Sequence, residues 1–472
     1  MTADTTLPRN GGAARRIVIA VAGVCCGTGA ALTAVGVAGQ SKLLVLLPAV
    51  LCVGAIVTIF AMTRFAAFVL LMLLTRASID ATKLAPDNTT AQLLTPSTIV
   101  GVLFIVAAAL WLVATYRERR RLPGSGLRTA LVALVCASAV SVPNAVDPMT
   151  SLGDVLRLLA IVLMYAVLEQ LMADPRMMRR ALVAVFCSAI FPILYTAAGF
   201  LVGHPPVEVK DGVTRVVGTF VQSNAFGAYL MLLVIVGVAV FPNVHGRVRT
   251  GLAVLLAACA VCLILTYTLA AMLGALVGLI VVGLKQSKRL LLALATVLVL
   301  ILALAPTLSG RLDSITNASS YGQGANHTGN SLAWRLAYWS QIVHLADRNP
   351  ATGIGYGMTS QLTQQNKQPH NDYLRAYVET GLVGLAVYLV VMALLIRVGL
   401  RAARAAPPGT LDRGVAVGYL GCAVAFAVTS LTSNEINGVA QLWYFVAFAA
   451  AASTVRRRAS DTRTPPKVAV DP

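Results

Sequence analysis

A chain of 472 residues in which 58% are apolar and 12% charged, with a mean hydropathy of +0.79, has more apolar surface than water tolerates, so a bilayer must cover it. The formal charge of +19 does not mark a nucleic-acid binder, because Lys and Arg sit in short runs between apolar stretches, where anchoring charges belong. All eight cysteines fall inside apolar runs, Cys259-x-x-Cys262 among them, which excludes a disulfide framework on an outer surface.

Polar breaks divide the chain into candidate spans near 17–39, 42–62, 64–79, 96–116, 128–143, 154–173, 181–202, 223–242, 251–268, 270–284, 290–306, 377–397, 414–431 and 438–454. The expected fold is therefore all-α, a polytopic membrane protein of about fourteen transmembrane helices (twelve to fourteen) with a large extracytoplasmic loop before the twelfth. The first run, Ile17 to Gly39, is long enough to span and lacks a polar cleavage region, so it reads as a retained helix.

Charge sets the orientation. With the N-terminus inside, Arg15-Arg16, Arg117 to Arg121, Arg176 to Arg180, Arg247 to Arg249, Lys285 to Arg289, Arg397 to Arg413 and Arg456 to Arg458 all face the cytoplasm, as the positive-inside bias requires. This implies a cytoplasmic tail at 1–16, helices one to eleven over 17–306, an extracytoplasmic loop at 307–376, helices twelve to fourteen over 377–454 and a disordered cytoplasmic tail at 455–472. The expected location is a membrane crossed many times, with both termini cytoplasmic. The short third span and the uncharged turn at Thr266-Tyr267-Thr268 are the weakest joints of this topology.

Three outward segments are long enough to build a site: Ser78 to Thr95, Gly203 to Thr219, and Thr307 to about Ala376. The last begins with a Gly-, Asn- and Ser-rich stretch and continues, from Leu332 to His344, at the spacing of an amphipathic helix lying on the membrane surface. On it Trp334, Tyr338 and Trp339 suit an interfacial aromatic belt. Lys210, Arg215, Arg311, Arg335, Arg348, Lys367 and Arg375 run against the positive-inside bias, which points to an anion between the second and third outer loops.

Directly before the twelfth span stands Gln368-Pro369-His370-Asn371-Asp372-Tyr373-Leu374. Pro369 interrupts the backbone, and Asn371 or Asp372 caps the new helix. That puts His370 at a helix N-terminus, which favours a nearby anion and a neutral imidazole able to act as a base. Glu379-Thr380-Gly381-Leu382-Val383-Gly384 then sets small residues three apart, a pattern expected to allow close helix packing beneath the loop.

His370-Asn371-x-x-Leu374 followed by Glu379-Thr380-Gly381-x-x-Gly384 resembles the signature of the O-antigen ligase and O-antigen polymerase superfamily, membrane glycosyltransferases of GT-C type. Arg215-x-x-Gly218-Thr219-Phe220 with Asn224 resembles the family's outer-loop motif. Arg335-x-x-x-Trp339 and Pro350-x-x-Gly353-x-Gly355 resemble the stretch before the family histidine.

The resemblance implies transfer of a glycan from undecaprenyl pyrophosphate to an acceptor hydroxyl on a glycan, lipid or protein, with no metal and no cofactor. It makes His370 the general base and sets Arg215 and Arg335 on the pyrophosphate, with Lys210, Arg311 and Arg375 as further cations. One departure is Leu269 in Thr266-Tyr267-Thr268-Leu269, where many members of the family carry Arg.

A transporter of a small anion or glycolipid is the main reading from another class, but no inverted repeat is evident. A GT-C enzyme using a monophosphate lipid would want an acidic first outer loop, and Gly39-Gln40-Ser41-Lys42 has none. A non-catalytic glycan-assembly subunit is the third reading, prompted by Leu269.

Overall fold

The computed structural model describes residues 56–79, 96–120, 122, 124–210, 213–303, 332–363 and 366–461. The expected first span and Arg311 lie outside the described residues. The described chain is almost wholly helical, as expected: α1 (Phe65–Ile79), α2 (Pro96–Arg119), α3 (Gly126–Ser141), α4 (Pro148–Leu171), α5 (Pro175–Cys187), α6 (Ile190–Leu201), α7 (Ser223–Val240), α8 (Gly246–Leu265), α9 (Leu269–Gln286), α10 (Lys288–Ala303), α11 (Leu332–Val343), α12 (Asp372–Ala405), α13 (Leu411–Thr429) and α14 (Val439–Asp461).

Among the described residues nine helical stretches are long and apolar enough to cross a bilayer, and each matches one of the expected spans. Of the other expected spans, α1 is a 15-residue apolar helix, α10 has 16 residues, and α14 is long but carries the Arg456–Arg458 run. Residues 56–62 of the expected second span are helical. Several starts are set by local chemistry: Asp147 before Pro148 and Asp174 before Pro175 accept from the first free amides, and Ser125 and Thr410 cap α3 and α13.

One compact unit comprises Met1–Met72 with Ile99–Leu122. Within it Phe65 stacks on Trp111 at 4.8 Å between ring centroids and buried Phe68 faces Phe104 at 6.5 Å.

The second unit comprises Leu73–Thr98 with Pro123–Pro472. Its centre is α7, buried along nearly its whole length. Small residues bring the neighbouring helices close: a Cβ on Gly421 of α13 would meet the Gly278 carbonyl of α9 at 2.8 Å, and one on Gly418 would meet Val236 of α7 at 2.9 Å.

The all-α expectation omits a two-stranded ribbon, β1 (Val207–Lys210) and β2 (Val213–Val216), antiparallel with Glu208 opposite Arg215. Its signal was legible: two alternating Val-rich tetrads on either side of Asp211-Gly212.

α12 departs further from expectation. Gly381 has φ 69° and ψ −170°, so the helix is broken there. The freed amides of Leu382 and Val383 donate to the carbonyls of Pro350 and Ala351 at 2.9 and 3.3 Å. On the other side, Ile354 and Gly355 N–H donate to the carbonyls of Val378 and Glu379 at 3.1 and 3.2 Å. The Gly381/Gly384 pattern thus serves a helix break crossed by a loop rather than helix-on-helix packing. A Cβ on Gly381 would lie 2.2 Å from the Ala351 carbonyl, one on Gly353 would lie 2.3 Å from that of Glu379, and one on Gly384 would strike the Thr380 hydroxyl.

Gly381→Ala should therefore lower thermal stability in detergent by about 3 kcal/mol or more, since it adds left-handed strain to an unavoidable backbone clash. Gly101→Ala in α2, where an added Cβ meets nothing within 4 Å, should be neutral in the same assay.

Candidate functional site

The loop between α13 and α14, residues 430–438, is the platform on which the expected motif rests. Asn371 caps α12 by accepting from Leu374 N–H at 3.0 Å, as the motif predicts. Asp372 N–H donates to the Ser430 carbonyl at 2.8 Å, and its carboxylate accepts from the amides of Glu435 at 2.9 Å and Ile436 at 3.4 Å.

His370 has φ 52°, a left-handed conformation that His tolerates better than bulkier residues. Its backbone N–H donates to Asn434 Oδ1 at 2.7 Å, and its ring Nδ1 lies 3.1 Å from Asn434 Nδ2. One asparagine holds both the backbone and the ring.

The same loop receives Arg335, whose Nη1 donates to the Thr432 carbonyl at 2.9 Å. Arg335 and His370, far apart in sequence, therefore converge on residues 432–434. α11 also holds the histidine segment: Trp339 Nε1–H donates to the Pro369 carbonyl at 2.6 Å, and the buried Tyr338 hydroxyl donates to the Lys367 carbonyl at 2.5 Å and lies within hydrogen-bond distance of Thr363 Oγ1 at 2.9 Å. Tyr338 and Trp339 thus have a specific task beyond the interfacial belt expected of them.

Arg375 is placed differently from a ligand-facing cation. It is 2% exposed, pairs with Glu379 through Nε at 2.8 Å, reaches Asn437 and lies over the Tyr356 ring at 5.2 Å. Glu379 in turn accepts from Gly357 N–H at 2.8 Å, from Thr359 N–H at 3.3 Å and from Thr359 Oγ1 at 2.8 Å. These two residues tie the 350–359 loop to α12. Asn144 and Ser151 hold the loop from its other side, donating to Thr352, Gly353 and Tyr356.

Arg215 stands on β2, partly buried. Glu208, opposite it, accepts from Ser223 N–H at 3.0 Å and from Ser223 Oγ at 2.5 Å, so the ribbon is fastened to the start of α7. Lys210 ends β1, its backbone paired with Val213. Gly218 has φ 59° and lies against Phe226. Asn224 accepts from Thr268 Oγ1 at 3.4 Å and so touches the turn that leads to Leu269, which is 65% exposed. Lys367 and Arg348 are exposed.

Sequence reasoning missed Thr432, Asn434, Glu435 and Asn437. Their signal was a run of polar residues, Thr432-Ser433-Asn434-Glu435-Ile436-Asn437, in a connection too short to need them. Glu435 is buried, and loss of water pushes its carboxyl up to about 7 against hydrogen bonds from Thr429, Ser433 and Gln441.

Among the described residues no group of three or more His, Cys, Asp or Glu side chains is placed to hold a metal ion. The arrangement can grip an anion and offer an imidazole beside it.

Fold and site together define a multi-pass, all-α membrane protein with a polar site assembled from the ends of its helices. Residues 252–389 match the O-antigen ligase family, which bears out the resemblance to the O-antigen ligase and polymerase superfamily. The matched segment contains Arg335, His370, Glu379 and the break at Gly381. Comparison with curated proteins gives no match.

The raised Glu435 carboxyl has a pH signature. The folded protein holds this proton to a higher pH than the unfolded chain, so stability is greatest in acid and is lost as pH rises through about 7. The melting temperature in detergent should fall between about pH 4.5 and about pH 7 and level off above, and Glu435→Gln should flatten part of that fall.

Proposed function

We propose that this protein moves a glycan from a lipid pyrophosphate, of undecaprenyl type, to an acceptor hydroxyl at the outer face of a bacterial inner membrane, as a polysaccharide polymerase or ligase. The convergence of Arg335 and His370 on the 432–434 loop is the observation that carries this reading. In it, Arg335 and Arg215 hold the pyrophosphate and His370 stands at the reacting bond.

The chemistry asks for little else. As the anomeric C–O bond breaks, charge grows on the pyrophosphate, and fixed donors aimed at that charge lower the barrier most. A guanidinium keeps its charge at every relevant pH and can offer two N–H groups to one phosphate. Arg375 is assigned to the scaffold, because Glu379 already balances its charge. The extracytoplasmic loop is taken to be the catalytic one, with both termini in the cytoplasm. The acceptor is a second glycan, a lipid or a protein, and no metal or cofactor is required.

The test is transfer from an undecaprenyl-pyrophosphate oligosaccharide by purified protein in nanodiscs containing EDTA. Wild type should form product, His370→Ala should fall by about 10³-fold, and Arg335→Ala should fall by about 10²-fold, the size expected for one lost anion-stabilising donor. Full activity in His370→Ala, or loss of wild-type activity restored only by a divalent ion, would overturn the reading.

A further inference from the structure

The clamp on His370 decides which ring nitrogen carries the proton. The His370 backbone N–H can only donate, so the atom of Asn434 facing it at 2.7 Å must be the amide oxygen. This fixes the amide's orientation, since a flipped amide would set N–H against N–H. The other end, Nδ2, must then face His370 Nδ1 at 3.1 Å, and because Nδ2 also only donates, Nδ1 must accept.

An imidazole accepting at Nδ1 carries its hydrogen on Nε2 when neutral. We infer that Asn434 is a positioning residue that locks His370 in the Nε2–H form, so that the ring meets its substrate as a hydrogen-bond donor to the pyrophosphate rather than as a base at Nε2. This inference rests on the transfer reaction proposed above and alters the role expected of His370 in it.

The lone pair a base would need is at Nδ1 and is taken by Asn434. Nε2–H is suited to an oxygen that gains charge, which in this reaction is the departing pyrophosphate oxygen. The bond between that oxygen and the anomeric carbon breaks with its electron pair going to the pyrophosphate. The acceptor oxygen bonds to the anomeric carbon, and the acceptor's proton passes to the released pyrophosphate. His370 stabilises the charge without a net change in its own protonation. The charged groups gathered around the same loop are Arg335 on α11, Asp372 and Arg375 on α12, and Glu435 in the loop itself.

Asn434 lies beyond the segment matched to the family, and its loop is bound into the site from α12 as well, through Asp372. The left-handed backbone at His370 is what lets one amide reach both the N–H and Nδ1 of the same residue. The clamp fixes the ring's direction together with its tautomer.

Two measurements test this. In the 15N spectrum of histidine-labelled protein in nanodiscs, with His370 assigned by its loss in His370→Gln among the five histidines, neutral His370 should show an unprotonated Nδ1 and a protonated Nε2. Asn434→Asp should move the proton to Nδ1. The reverse pattern in the wild type would overturn the inference without any reference to catalysis.

The second is activity. Gln sets an N–H near the position of His Nε2 but cannot act as a base, so His370→Gln should exceed His370→Ala by about 10²-fold, while His370→Asn should not. Asn434→Asp should gain activity as pH falls, because only the imidazolium then offers Nε2–H. A base would require Gln and Ala variants to be equally inactive and Asn434→Asp to gain activity as pH rises, and either result sinks the donor role. Wild-type protein that keeps the predicted spectrum but transfers no glycan would count against the transfer reaction and leave the tautomer assignment standing.

Discussion

A helix broken inside a membrane protein frees backbone groups that water cannot reach, and each left unpaired costs several kcal/mol. In α12 that break occurs at Gly381, and the site is organised around its repair. The 350–355 loop supplies two carbonyls to Leu382 and Val383 and two amides to Val378 and Glu379, so loop and helix exchange hydrogen bonds on both sides of the gap. The exchange demands backbone contact closer than any Cβ permits, which is why glycine occupies both 353 and 381. Once the loop is pinned in this way, Glu379 can gather Gly357, Thr359 and Arg375 into one buried knot.

That knot extends toward His370 through Arg375. Its guanidinium spans from Glu379 to Asn437, joining the 350–359 loop to the loop between α13 and α14. Asp372 makes a second tie to the same loop and α11 braces the histidine from the other side through Trp339 and Tyr338. His370 is thus held by three separate segments, and its strained backbone persists because its surroundings determine it more than once. A site built at the ends of helices and fixed by buried polar bonds loses little on binding, since the ordering was done during folding.

Much of this was legible from the chain. Apolar run lengths gave nine spans that the structure reproduces, and Asn371 was readable as a cap because an Asn three residues before a free amide at a helix start has one obvious use. The Arg335–His370 pair was readable as motif, though not as contact. Other features were hidden for physical reasons. Gly381 and Gly384 satisfy the small-residue pattern of a helix interface, and spacing alone cannot tell close helix packing from a break, because both require the absence of a Cβ. Arg375 looks in sequence like any other outward cation, and only its three-dimensional neighbours show that Glu379, one helical turn away, has claimed it. Asn434 was illegible because its importance comes from a residue 64 positions away.

The cations of the site therefore divide by what already balances them. Arg375 is buried against a carboxylate that also accepts several N–H and O–H groups, so an incoming phosphate would have to displace a well-formed pair at the cost of stranding Glu379. Arg215 stands opposite Glu208 on the ribbon, whose carboxylate accepts from the amide and hydroxyl of Ser223 at the start of α7. Arg335 bonds the Thr432 carbonyl, which sets its guanidinium beside the loop that also holds His370. Arg375, which sequence alone would rank beside Arg215 and Arg335, is thus the one that ties the 350–359 loop to the loop between α13 and α14.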